Sequence, residues 1–293
     1  MTVVYCCLEN SYGIERISAV SDNRSSIKLK PHTITVSDIS SKLHSITIKC
    51  FSTDILTNKD DDYMTPYYET EFGVGYAGNC FQALNVIGNA RKVFQHLIDL
   101  NSKNAKPSHS DIIRTFSSIF DEFIQSHSGK SNIAIDFLIF GYCPQSPSIP
   151  WLYKLSHRPR KKLEVTKLQI NNNEIHGIGD ALNNGSLVNK LKTVRRSFRR
   201  KFLKLKFYNN FEKEVFFEKM KVAQNNVTEK YIRNHIKNNK NKTVGGDIEK
   251  MELYNTGQRS VVTLTIPTGS SKNNNIGELS DGLAYVPFSK NFS

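Results

Sequence analysis

No stretch of this chain stays apolar for the roughly 18 residues that a membrane-crossing helix requires. The N-terminus lacks the basic region, apolar stretch and small-residue cleavage site of a secretory signal. Cysteine is sparse, with five residues at 6, 7, 50, 80 and 143. The odd count without paired ligand spacing argues against a disulfide framework or a zinc site, and reduced thiols in a cytoplasmic protein are the expectation. Two further sites are excluded by single missing residues. Asn58, Asp60, Asp62 and Glu69 fall at calcium-loop spacing, but Tyr63 stands where such a loop turns on glycine. Gly73, Gly75 and Gly78 suggest a phosphate cradle, but no Lys-Ser or Lys-Thr pair follows them. No metal and no cofactor is therefore expected.

What is present is enough apolar material for a substantial core: 293 residues, 38% hydrophobic and 10% aromatic, outside the disordered range. The formal charge is +13, and much of the excess sits in "NKLKTVRRSFRRKFLKLKF", which contains no acid. There Arg195, Arg196, Arg199, Arg200 and Lys201 surround Phe198 and Phe202, whose four-residue spacing gives one helical face an apolar stripe. Two readings stay open. The segment is a solvated helix packing its stripe on the core or a neighbouring subunit, or a surface for RNA, an anionic membrane or an acidic partner.

Short β-branched runs at 3–8, 14–21 and 44–51 read as strands. "FGVGYAGNC" reads as a strand entering a tight turn, with Asn79 capping a helix whose apolar face includes Phe81, Leu84, Ile87 and Phe94. "HSDIIRTFSSIFDEFIQSH" is a second amphipathic helix, for which Ser110 is the expected cap. "NIAIDFLIFGYC", "WLYKLS", "LEVTKLQI" and "EIHGIGDAL" continue as strands. "FEKEVFFEKMKVAQNNVTEKYIRNHI" reads as a long helix, and "GDIEKMELYN" with "RSVVTLTI" as a closing hairpin around "NTGQ". The order strands, two helices, strands, helix, strands suggests antiparallel sheets with helices grouped on their faces.

The opening "MTVVYCCLEN" has two readings. "TVVYCCL" is a buried strand, or removal of Met1 frees Thr2, which then carries a hydroxyl nucleophile and an α-amino base on one residue. Here the chain resembles the proteasome-type N-terminal-nucleophile hydrolases. "AVSDNR" is similar to the family's Asp-Ser-Arg signature and puts Asp22 at its acid. "SKLHSI" puts Lys42 at its lysine. "FGVGYAGNCFQAL" resembles the turn into its first central helix, "HGIGDAL" its Gly-Ser-Gly turn, and "TVGGDIEKMEL" the Gly-Gly pair before a late strand. These pieces follow family order across most of residues 2–265.

The resemblance implies an α+β fold, a four-layer αββα sandwich of two antiparallel sheets between helical layers. One domain would span 1–267, with insertions near 54–70 and 187–210 and a flexible tail over 268–293. It also implies a threonine-type peptidase or amidohydrolase. Thr2 would be the nucleophile, Lys42 would favour its alkoxide-like transition state, and Asp22 would hold Lys42 charged and oriented. Backbone N–H groups of the turn at Gly75, Ala77 and Gly78 would form the oxyanion hole, and Asp180 would orient the amine. Implied partners are a peptide or protein substrate, further copies of the chain in a homo-oligomer or ring, and an unfoldase. Asn241 and Val244 stand where the family's peptidases carry Asp and Ser. That keeps open the alternatives of an inactive structural subunit, or a basic adaptor that works through 190–207.

Overall fold

The run "IDFLIFGYC" explains the architecture: a strand with no polar face must be covered on both sides. In the computed structural model every residue of this strand, Ile135–Cys143, is buried. The structure describes residues 3–11, 14–22, 25–29, 32–37, 40–52, 65–101, 104–126, 133–170, 174–179, 248–257 and 260–265. It also describes shorter pieces at 193, 196–201, 203, 211–216, 219–220, 223, 277–278 and 284–285.

The elements, in chain order, are β1 Val3–Ser11, β2 Ile14–Asp22, β3 Ser25–Leu29, β4 His32–Ser37, β5 Leu43–Ser52, β6 Tyr68–Gly78, α1 Cys80–Phe94 and β7 Leu97–Asp99. They continue with α2 His109–Ser126, β8 Ile135–Cys143, β9 Ser146–His157, β10 Glu164–Leu168, β11 Ile175–Gly179, β12 Ile248–Asn255 and β13 Ser260–Thr265. Gly277–Glu278 (β14) and Ala284–Tyr285 (β15) pair as two short antiparallel strands. One sheet runs β11-β1-β2-β12-β13 and the other β10-β9-β8-β6-β5-β7. All pairings are antiparallel except that of β7 with β5, which is parallel. β3 and β4 form a separate hairpin in a segment that reads only as polar in the sequence.

Two cores follow from the alternation of side chains along the strands. Phe137 and Ile139 of β8 join Phe72, Val86, Phe94, Phe116 and Phe120 beneath α1 and α2. Leu138 and Phe140 join Val4, Cys6, Ile17, Ala19, Met251 and Leu253 between the sheets. The expected sandwich, with α1 and α2 together on one face, is what the chain forms. Residues 196–201 and 211–216 are helical, and Phe198 meets Phe216 edge-on with ring centroids 5.6 Å apart. The rest of the expected long helix at 211–236 lies outside the described residues, apart from helical positions at 219, 220 and 223.

Asn79 caps α1 as expected, its side chain accepting from the Gln82 N–H at 3.1 Å. The cap of α2 is Ser108, not Ser110. The Ser108 hydroxyl oxygen accepts from the Asp111 N–H at 3.1 Å, while the Asp111 carboxylate accepts from the Ser108 N–H at 3.0 Å. This reciprocal arrangement is a capping box, with Asp in the place more often held by Glu or Gln. Among the described residues no helix is long and apolar enough to cross a membrane.

Candidate active site

Three acids and bases meet where the ends of β2, β5 and β12 converge, and burial makes their pairing obligatory. Asp22, the last residue of β2, is completely buried, and Lys42, just before β5, is 1% exposed. Lys42 Nζ lies 2.9 Å from Asp22 Oδ2. Asp22 Oδ1 accepts the backbone N–H of Val3 at 2.8 Å. One carboxylate thus ties the start of β1 to the lysine ammonium. Besides Asp22, Nζ has no partner among the described residues. Burial pushes the Lys42 pKa below its ordinary value, and Asp22 opposes that by favouring the charged form.

The third group is Glu249 on β12, 1% exposed. Its Oε2 accepts the backbone N–H groups of Lys42 at 2.8 Å and Leu43 at 3.1 Å, and the Ser21 hydroxyl at 3.2 Å. Its Oε1 faces the Ser41 hydroxyl. Burial raises the Glu249 pKa, and these hydrogen bonds to the carboxylate pull it back. Sequence reasoning missed Glu249. The available signal was its place on the inward side of an alternating strand, in step with Met251 and Leu253.

The far wall comes from β6 and α1. The Tyr76 N–H donates to the Lys42 carbonyl at 3.2 Å, and the Tyr76 hydroxyl lies 3.0 Å from Cys80 Sγ at the head of α1. Burial pushes the Tyr76 pKa up, so the phenol stays neutral. His44, two residues beyond Lys42, is pushed down to about 4 by burial and then by Arg91, so it is uncharged near neutral pH. Of the three residues assigned to the turn, only Gly78 has turn geometry, with φ +122°. A Cβ there would stand 2.3 Å from the Ala134 carbonyl oxygen, so only glycine fits. Gly75 and Ala77 are strand residues within β6. Gly75 serves packing: a Cβ on it would stand 2.7 Å from Val4 Cγ1.

The structure therefore brings Asp22 and Lys42 together, with Gly78 at the end of β6. Thr2, Asp180 and Arg195 lie outside the described residues, as do Asn241 and Val244. Arg196, Arg199, Arg200 and Lys201 are exposed on the helical stretch 196–201. Among the described residues no group of three or more His, Cys, Asp or Glu is placed to hold a metal ion.

Two facing sheets with paired helices outside one of them define a proteasome-like fold. Solved structures bear this out. The chain is similar to an Anbu mutant from Hyphomicrobium sp. strain MC1, with TM-score 0.53 and 10% identity over 93% of this chain and 89% of that one. It is also similar to the Anbu complex of Pseudomonas aeruginosa, solved as a helical assembly, with TM-score 0.51 and 15% identity over 92% and 88%. No protein-family model matches the sequence, and no curated protein matches it.

Proposed function

We propose that the chain is a threonine-type peptidase or amidohydrolase that uses Thr2 as its nucleophile once Met1 has been removed. One observation carries the reading. Asp22 spends its two buried oxygens on the Val3 amide and the Lys42 ammonium. An ion pair taken out of water gains little stability over apolar packing, so its retention calls for a use. A carboxylate that fixes a lysine beside the residue following Thr2 has such a use.

In the proposed reaction the Thr2 hydroxyl attacks the scissile carbonyl and its proton passes to the Thr2 α-amine, whose ordinary pKa of about 7.7–8.0 suits a base near neutrality. The Lys42 ammonium stabilises negative charge developing on the hydroxyl oxygen. The backbone N–H of Gly78 receives the carbonyl oxygen as it becomes an oxyanion. The leaving amine departs with the proton, and water then hydrolyses the Thr2 ester. Val3 pairs with Gly179 across β1 and β11. Asp180 follows Gly179 in the chain, and in the proposed reaction its carboxylate orients the Thr2 amine.

Intact mass shows whether Met1 is lost. A β-lactone or epoxyketone probe should label Thr2 in the processed chain, and Thr2→Ala should abolish labelling and turnover while leaving the fold intact. A processed chain that resists these probes, with Thr2→Ala changing no activity, would leave an inactive structural subunit as the reading. Asn241 and Val244, in place of the family's Asp and Ser, favour that second reading. Either reading includes a homo-oligomer, supported by the exposed Phe81 and Leu84 on α1.

A further inference from the structure

Glu249 is a buried acid that the proposed reaction does not use. It sits on the five-stranded sheet and reaches across to the first residues of β5 in the other sheet. Among the described residues its four hydrogen-bond contacts all come from groups able to donate: two backbone amides, of Lys42 and Leu43, and the hydroxyls of Ser21 and Ser41. Two consecutive amides held by one oxygen fix the direction in which the chain enters β5, and with it the root of the Lys42 side chain. Ser21, which also donates to Glu249, immediately precedes Asp22 in β2. Glu249 therefore touches both segments that carry the ion pair.

We propose that Glu249 is a positioning residue for Lys42, fixing its backbone through two consecutive amides and adding a second carboxylate to the buried cluster that holds the Asp22–Lys42 pair. The inference rests on the reading of Lys42 as part of the nucleophile's site. Among the described residues, the titratable groups around the Lys42 ammonium are Asp22 from β2, Glu249 from β12, and Cys80 at the start of α1. Tyr76 of β6 and His44 of β5 stand nearby as neutral groups. A lone Asp22 would balance Lys42 charge for charge. The Glu249 carboxylate adds to Asp22 in favouring the charged form of the lysine against its burial.

Glu249→Gln separates the two roles. The amide oxygen can accept from Ser21, Lys42 and Leu43 as Oε2 does, while the amide NH2 donates to Ser41 Oγ. Ser41 is free to accept because its own hydroxyl proton can go to the Leu43 carbonyl, 2.9 Å away. The frame survives and the charge is lost. With lysine labelled at 13Cε, and Lys42 assigned by its disappearance in Lys42→Arg, the Lys42 resonance reports its protonation without reference to turnover. In Glu249→Gln it should titrate lower than in the unaltered chain by about one pH unit or more. The alkaline limb of probe labelling at Thr2 should move down with it, with little change in melting temperature.

The unaltered chain supplies a second measurement that needs no variant. The Lys42 13Cε signal and the Lys42 and Leu43 amide signals should all report one further titration, that of the Glu249 carboxyl, above its ordinary 4.5. A Lys42 titration that is the same in both chains, or absence of that common second step, overturns the proposal and leaves Glu249 as a staple between the sheets. If the Lys42 titration moves but Thr2 is never labelled, the positioning role stands and the nucleophile reading fails. If Thr2 is labelled and Lys42 ignores Glu249, the reverse holds.

Discussion

Gly75 of β6 and Val4 of β1 meet across the gap between the sheets, so closely that a Cβ on Gly75 would stand 2.7 Å from Val4 Cγ1 and 3.2 Å from Leu43 Cδ2. This contact sets how near β1 comes to β6. Gly75→Ala should cost about 1–3 kcal/mol by overpacking. Adding Val4→Ala, which vacates the space, should recover part of the loss. Urea denaturation of the two variants checks this. Equal stability of the single and double variants would show that the contact yields freely.

The buried ion pair should respond unequally to its two halves. Lys42→Met removes the ammonium that balances the buried Asp22 carboxylate, and should cost about 3–5 kcal/mol. Asp22→Asn keeps an oxygen for Val3 but leaves the ammonium unpaired, so it too is destabilising. The double replacement, Asp22→Asn with Lys42→Met, should be less destabilising than the two losses summed. A double-mutant cycle in denaturant gives the coupling directly.

The depressed Lys42 pKa has a pH signature of definite sign. Below its folded-state value both folded and unfolded chains hold the proton, and stability does not vary with pH on its account. Between that value and 10.5 the unfolded chain holds more protons, so raising the pH favours folding. The stability difference between the unaltered chain and Lys42→Met should therefore grow as pH rises in the window below 10.5. The ammonium is lost over the same window, so activity should fall there while stability rises. Thermal melts and labelling rates on the same samples test the opposition.

Ser108→Ala removes half of the capping box at α2 and should cost about 1 kcal/mol, whereas Ser110→Ala should be near neutral. Comparing melting temperatures of the two decides which serine is the cap.

Much of this was legible in the sequence because the strands and helices carry clean periods. Asp22 and Lys42 were found through their motif surroundings, and nothing local marks either as buried. Glu249 was passed over because an acid in "DIEKMEL" reads as a solvated strand residue. Its alternation with Met251 and Leu253 was the one local sign of an inward face, and the pairing with β2 sets that face, with Ile248 opposite Asp22 and Glu249 opposite Ser21. The β3–β4 hairpin was missed because Ser, Thr, Lys and His alternate there with too few large apolar residues to show a face. Ser110 reads as the cap because it adjoins the apolar run; the deciding feature is the acid three residues beyond Ser108. Gly75 looked like part of a turn because glycine signals turns in isolation, whereas here it makes room for a strand from the opposite sheet.

Strand β8 belongs to both cores at once, sending Phe137 and Ile139 to the helices and Leu138 and Phe140 to the opposing sheet. Neither layer can then come apart while the other stays intact, because the same nine residues would have to leave both. The sandwich should melt as one cooperative unit, and the β8 amides should exchange with deuterium only through global unfolding. Such a body suits a site assembled from several strand ends, since no partial opening can separate Asp22 from Lys42 without dissolving the whole.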